Sequence, residues 1–413
     1  VGLSTSSTAQ PIAGSAASLR QRNSQAVLET LYRHGQSASA ATPSLRVVEL
    51  MRSTGLSRPT VETVAEGLTA QGWLTLGEPA EGGGRLGRPA KTYSFHARAG
   101  HVVGVDVGAH AVAVCVADLL GTRVALAREV VSPSTSAPRR LAALRRTLRG
   151  ALETAGLRPS DPLALTAGTP GILDPSRRRI LTSPGLAGWA EFDLLSALED
   201  LVGCDVELEN DANLAAVAER SVQHGDQHGE ARPDPDDLIF LLLGERLGAG
   251  VIVNGQLVRG HHGASGELWN VRSGVRETAG DQRRPLGSIV NAPSLAHAAE
   301  QSPRPPAGRA GRGGERGGAE GAAPRTVDQI ARELAHGISP VLLTLDLETV
   351  VLGGDLGEAG PALRQALAGE LEDLVLYPPR VELSRLGVDA ILAGAVLQSR
   401  AKVEREVLAQ VVA

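Results

Sequence analysis

Apolar residues recur at three- and four-residue spacing through the first quarter of the chain, and from His101 they gather into short dense runs instead. Leu19, Val27, Leu28 and Leu31, with Arg and Gln between them, predict a helix ending at Gly35. Val47, Val48, Leu50 and Met51 mark a second helix, which Ser44 is placed to cap. Ser53-Thr54-Gly55-Leu56 reads as a turn, with Gly55 supplying the positive φ of a helix stop. Ser57 then caps a third helix that carries Pro59 in its first turn and Val61, Val64, Ala65 and Leu68 on its inner face. Trp73–Leu76 and Tyr93–Phe95 read as paired strands joined by a Gly- and Arg-rich tip. Helix, turn, helix and a two-stranded ribbon form a winged helix-turn-helix.

The outward side of the third helix carries Arg58, Pro59, Thr60, Glu62 and Thr63, the region a recognition helix presents to base edges in a major groove. Arg85, Arg88 and Lys91 in the wing suit a narrow minor groove of negative potential, although a solvated basic loop has the same composition. Charge favours DNA. Residues 19–98 hold ten Arg or Lys against six Asp or Glu, net +4, while the whole chain is −5 and the remainder therefore −9. Phosphate attraction is confined to one end. A winged helix that docks protein would show the same element pattern.

From His101 the pattern changes to that of an α/β domain. Residues 101–130 read as three successive strands, the first almost wholly apolar and so central. Ala137 to Gly156 is a helix whose arginines are expected on a solvated face. A strand running into a Gly-Pro loop follows at 162–171, a strand, polar loop and helix at 205–219, a hairpin of two buried strands at 237–260, a helix at 327–345 and a buried strand with a Gly-Gly turn at 349–363. Residues 1–18 and 301–325 are of low complexity and are expected to be a disordered tail and a flexible insertion. The domain boundaries expected are 19–98 for the winged helix and 99–413 for the α/β domain, with lobes at about 99–213 and 214–395.

At 413 residues and 42% hydrophobic content the chain can bury a sizeable core, built from Leu, Val, Ala and Ile because aromatics are only 2%. Cys115 and Cys204, the two cysteines, offer neither a disulfide framework nor a CxxC knuckle. No apolar run is long enough to span a membrane, and the first residues lack a secretory pattern, so a cytoplasmic protein is expected.

Polar loops close the apolar strands: Asp106-Val107-Gly108, Gly168-Thr169-Pro170-Gly171, Glu209-Asn210-Asp211-Ala212-Asn213 and Gly266-Glu267. Ligands gather at strand ends in an open α/β sheet. Asn, Asp and Glu side chains there suit sugar hydroxyls, which both donate and accept, and Asp211 is placed to act as a general base. The Asx pair can equally cap the helix that follows.

LSRPTVETVAEGL (56–68), GGGRLGRPA (82–90), VVGVDVG (102–108), GTPGILD (168–174), ENDAN (209–213), GASGELWN (263–270) and VVLGGDL (350–356) occur in that order. With them the chain resembles the ROK family (repressors, uncharacterised reading frames and sugar kinases) in its regulator branch, over roughly residues 19–400. The resemblance implies a winged helix joined to an actin-like, hexokinase-like two-lobed domain. It places sugar contacts at Asn210, Asp211 and Glu267, with Thr169 and Asn270 as further candidates, and puts the kinases' catalytic base at Asp211. Asp106, Gly108, Gly353 and Gly354 fall at its nucleotide site.

The departures from the family are specific. Ala109-His110 stands where the kinases have Gly-Thr, and Gly244-Glu245-Arg246-Leu247-Gly248 replaces a glycine-rich phosphate loop. Arg246 can meet a phosphate, whereas Glu245 repels one. Weak or absent ATP use, and hence no enzyme, is the expectation. The family's zinc-binding His falls on Asn270 and its Cys cluster is missing; Ser288 replaces a Cys and Val290 a sugar-binding Glu. No metal and no cofactor are therefore expected. The expected function is a repressor of carbohydrate metabolism, binding a double-stranded operator as a homodimer or homotetramer and answering to a sugar or sugar phosphate. The alternatives are an active sugar kinase with a DNA-binding head and a regulator that has lost its sugar.

Overall fold

Helix α1 (Ser15–Ser37) packs against α3 (Arg58–Ala70) and β3 (Thr92–Phe95), and these elements enclose a core of their own. The structure is a computed structural model that describes residues 15–37, 43–77, 91–221, 236–272, 284–301 and 325–408. The chain divides into two units: Val1–Val102 with Ala117–Val124 and Arg400–Ala413, and Val103–Val116 with Ala125–Ser399.

In the first unit β1 (Leu45–Arg46) and β2 (Leu74–Leu76) flank β3 in an antiparallel sheet. Between β1 and β2 lie α2 (Val47–Thr54) and α3. Gly55 adopts φ 71°, and its N–H closes on the Met51 carbonyl at 2.9 Å, which ends α2. Ser57 Oγ accepts the Thr60 N–H and starts α3. Val27, Leu28, Leu31, Leu50, Val61, Ala65 and Leu68 are buried, and Tyr32 meets the Phe95 ring edge-on at 5.1 Å. Two expectations are corrected. α1 begins at Ser15, so residues 15–18 are helical. Ser44 does not cap α2: Leu45 and Arg46 first pair with β3, and Glu49 reaches back to the Arg46 N–H at 2.7 Å instead. The wing tip with Arg85 and Arg88, the tail 1–14 and the insertion from 302 to 324 lie outside the described residues.

The second unit holds two five-stranded sheets. Strands β4 (His101–Val107), β5 (Ala111–Asp118) and β6 (Arg123–Val130) are followed by α4 (Ala137–Ala155), β7 (Ala164–Thr169), a small antiparallel pair β8 (Ile172–Leu173) and β9 (Ile180–Thr182), α5 (Leu194–Glu199) and β10 (Asp205–Asn210). The sheet order is β10-β7-β4-β5-β6, with β10 parallel to β7. After α6 (Asp211–Ser221) come β11 (Leu238–Leu243), β12 (Leu247–Val253), β13 (Gln256–Leu257), α7 (Ala292–Gln301), α8 (Val327–Leu345), β14 (Thr349–Gly354), α9 (Gly360–Glu372), β15 (Arg380–Leu383) and α10 (Ala390–Val403). The second sheet is ordered β15-β14-β11-β12-β13, the same plan as the first. Each sheet has a three-strand meander, then a crossover that places two more strands on the far side of the first. Continuous apolar runs such as LIFLLL in β11 are buried, as strands covered on both faces must be.

Candidate functional site

A cleft of about 260 Å³ lies in the second unit where the strands of both sheets end. Five turns supply its walls: Gly108–His110 after β4, Pro170–Gly171 after β7, Asn210–Asp211 at the β10–α6 junction, Gly244–Arg246 after β11, and Gly354–Asp355 after β14. A sixth wall is the 3-10 turn Leu268–Asn270, preceded by Glu267.

Asp211 sits at the first position of α6, because β10 runs parallel to β7 in a register that pairs Asn210 with Thr169. Its Oδ1 accepts the Ala212 N–H at 2.8 Å. Burial pushes its carboxyl up to about 6, against the pull of backbone hydrogen bonds from Ala212 and its own N–H. Glu267 is also raised, by burial first and the Asp211 charge second, while Arg246 pulls it down. Asp106, at the end of β4, is pushed up to about 7 by burial and by the Asp211 charge, with Arg128 opposing and Asp389 adding to the rise. Its Oδ1 is sealed from solvent without a hydrogen-bond partner. Of these three carboxyls with raised proton affinity, Asp211 and Glu267 line the cleft and Asp106 does not, so the first two are placed for proton transfer to and from hydroxyls.

Not every expected site residue faces this cleft. Thr169 is fully buried and its hydroxyl accepts the Trp189 indole N–H at 2.8 Å, so it is removed from the sugar contacts. Asn270 is exposed at the far end of its turn and does not line the cleft. Asn210 lines it, but both ends of its amide are engaged: Oδ1 accepts the Asn213 N–H at 3.1 Å and Nδ2 donates to the Gly171 carbonyl at 3.0 Å. Its capping role is thus real. Gly108 and Gly354 line the cleft, whereas Gly353 is buried against the Phe240 ring. Of the family's zinc positions named above, Asn270 faces solvent and Ser288 donates its hydroxyl to the Pro285 carbonyl at 2.7 Å, neither of them a thiolate or imidazole. Val290, at the position of a sugar-binding Glu, is fully buried in the apolar core.

Two arginines, Arg140 and Arg259, escaped the sequence reading, and a third, Arg246, entered it without its aromatic partner. Arg140 on α4 is fully buried rather than solvated: it donates to the carbonyls of Gly108 and Ala109 and, at 2.7 Å, to that of Ser132. It therefore fixes the turn after β4. Arg259 reaches Glu209 at 2.7 Å. Arg246 lies over the Trp269 ring with its guanidinium carbon 4.2 Å from the centroid. Nothing in their spacing separates them from surface arginines. The two altered turns meet each other, with His110 Nε2 and Glu245 Oε1 2.8 Å apart.

In the first unit, Arg58, Pro59 and Thr63 of α3 are exposed. Arg58 Nε donates to Glu62 at 3.0 Å and Lys91 Nζ to Glu66 at 2.8 Å, so both cations are held over the outer face of α3. No helix among the described residues is long and apolar enough to cross a membrane.

Residues 102–398 match the sequence pattern of the ROK family. The N-acetylmannosamine kinase of Salmonella heidelberg (strain SL476) is 29% identical over 311 residues, covering 71% of this chain and 96% of that protein. The xylose repressor of Bacillus subtilis (strain 168) is 28% identical over 222 residues, 53% of this chain and 54% of that protein. Among solved structures, a ROK family transcriptional regulator described as a homolog of the E. coli MLC protein superposes with a TM-score of 0.65 at 17% identity, over 95% of this chain and 99% of that one. The match to a sugar kinase along nearly its whole length overturns the expectation that this chain is no enzyme.

Proposed function

The chain belongs to the ROK family, with its winged helix-turn-helix and actin-like, hexokinase-like domain, and on that premise we propose that it is a sugar-responsive, DNA-binding transcriptional regulator. The observation that carries this reading is the combination, in one chain, of an exposed recognition face on α3 and a cleft that presents Asp211 and Glu267. The regulator acts in the cytoplasm on a two-fold symmetric operator as a dimer or tetramer, because paired half-sites multiply a modest affinity. Sugar in the cleft shifts DNA affinity by its preference for one conformation. The similarity to the xylose repressor supports carbohydrate metabolism as the regulated process. The test is fluorescence anisotropy on duplex from the gene's own upstream region and on scrambled duplex, with and without sugars. Specific binding that one sugar weakens supports the proposal; equal binding to both duplexes counts against it.

A second reading rests on Asp211 and on the similarity to N-acetylmannosamine kinase. The same cleft phosphorylates a sugar: Asp211 takes the hydroxyl proton, the hydroxyl oxygen attacks the terminal phosphorus of a nucleoside triphosphate, and the diphosphate leaves with the bond electrons. Diphosphate release with glucose and N-acetylmannosamine tests it. Turnover should be lost in Asp211→Asn, and absence of turnover in the unaltered protein rejects this reading.

A further inference from the structure

Three arginines near the strand ends of the second unit are committed, Arg140 to backbone carbonyls and Arg177 and Arg259 to Glu209, and none of them lines the cleft. Arg246 is different. Its Nη2 makes a 3.3 Å bond to the Pro184 carbonyl, its Nη1 is covered and has no hydrogen-bond partner, and it forms no ion pair within 4 Å among the described residues. It is nevertheless held in place by the Trp269 ring, which both shields and orients a guanidinium.

Its position along the cleft matters as much as its unspent donors. Trp269 follows Glu267 by two residues, and the Arg246 charge acts on Glu267. Arg246 therefore belongs to the end where Asp211 and Glu267 gather. The acidic residue beside it, Glu245, is bound to His110. A planar fork of donors against an aromatic wall recognises a planar or trigonal array of oxygens.

We propose that the sugar end of this cleft takes a sugar bearing an anionic group, phosphoryl or carboxyl, with Arg246 as its receptor. This rests on the reading of the cleft as a sugar site. Asp211 and Glu267 hold hydroxyls of the ring, and the guanidinium holds the anion.

Calorimetric titration of the full chain with glucose, glucose 6-phosphate, glucuronate and a non-hydrolysable ATP analogue tests this. One of the two anionic sugars should bind about tenfold more tightly than glucose, and Arg246→Gln should erase that preference while changing glucose affinity by less than about threefold. The arm that responds tells phosphoryl from carboxyl. Arg246→Lys, which keeps the charge and loses the fork, should retain part of the preference and serves if the Gln variant melts early. The proposal is overturned if neither anionic sugar is preferred, if the preference survives Arg246→Gln, or if only the nucleotide analogue responds to the substitution. Glucose binding that is lost in Asp211→Asn but shows no anion preference would leave the sugar cleft standing and sink the role of Arg246. No binding by any sugar would sink both, and only then.

Discussion

Glu209 and Arg259 meet at 2.7 Å between the two sheets of the second unit, one in β10 and the other just beyond β13. Glu209 is 2% exposed and also accepts from Asn213 Nδ2 and the Asn210 N–H, both at 3.0 Å. It thereby ties the strand that leads to Asp211 to the loop that leads to Glu267. Arg259→Ala leaves a buried carboxylate short of its main partner and should cost about 1–3 kcal/mol in unfolding free energy. Urea melts measure the loss, and sugar affinity should fall with it. An unchanged midpoint would mean that the pair is ornamental.

Asp211 must be ionised to take a proton, and burial raises its carboxyl to about 6. Sugar phosphorylation in the unaltered protein should therefore climb as pH rises through 6 and level off above it. A pH profile of diphosphate release checks this. A rate that falls across that interval would assign the base elsewhere.

Asp106 lends itself to a stability measurement. Its carboxyl goes from an ordinary 3.8 to about 7 on folding, through burial first and the Asp211 charge next. The folded state holds this proton more tightly than the unfolded one, so stability is lost as pH rises from about 4 through 7. Asp106→Asn cannot ionise. It should melt higher than the unaltered protein at pH 8, with the gain shrinking toward pH 4. Equal differences at both pH values would refute the assignment.

On α3, Arg58 is held by Glu62 at 3.0 Å and must exchange that partner to read a base. Arg58→Ala should weaken binding to the specific duplex by about 1–3 kcal/mol and spare the scrambled one. Equal losses on the two duplexes at fixed salt would make it a phosphate contact.

Periodicity exposed the helices and strands because burial enforces it: Val61, Ala65 and Leu68 face inward, and the apolar β11 is covered on both faces. Motif order pointed to Asp211, just past the end of β10, and to Glu267, ahead of the 3-10 turn, and both line the cleft. Long-range pairing was invisible. Arg140 resembles its neighbours on α4 until the fold brings Gly108 to it, and no spacing rule joins Glu209 to Arg259 or Arg246 to Trp269. Thr169 misled because a hydroxyl beside a sugar site also suits an indole, and Trp189 takes it. Ser44 misled because a good cap residue is overruled when the strand after it must pair. The relatives corrected a judgement that altered phosphate loops alone mean loss of activity.

The repeated strand order has a mechanical consequence. The turn after β4 and the turn after β11 hold equivalent places in the two sheets, and His110 of one meets Glu245 of the other at 2.8 Å. Both residues line the cleft, so a ligand that pushes the two turns apart must first part this pair.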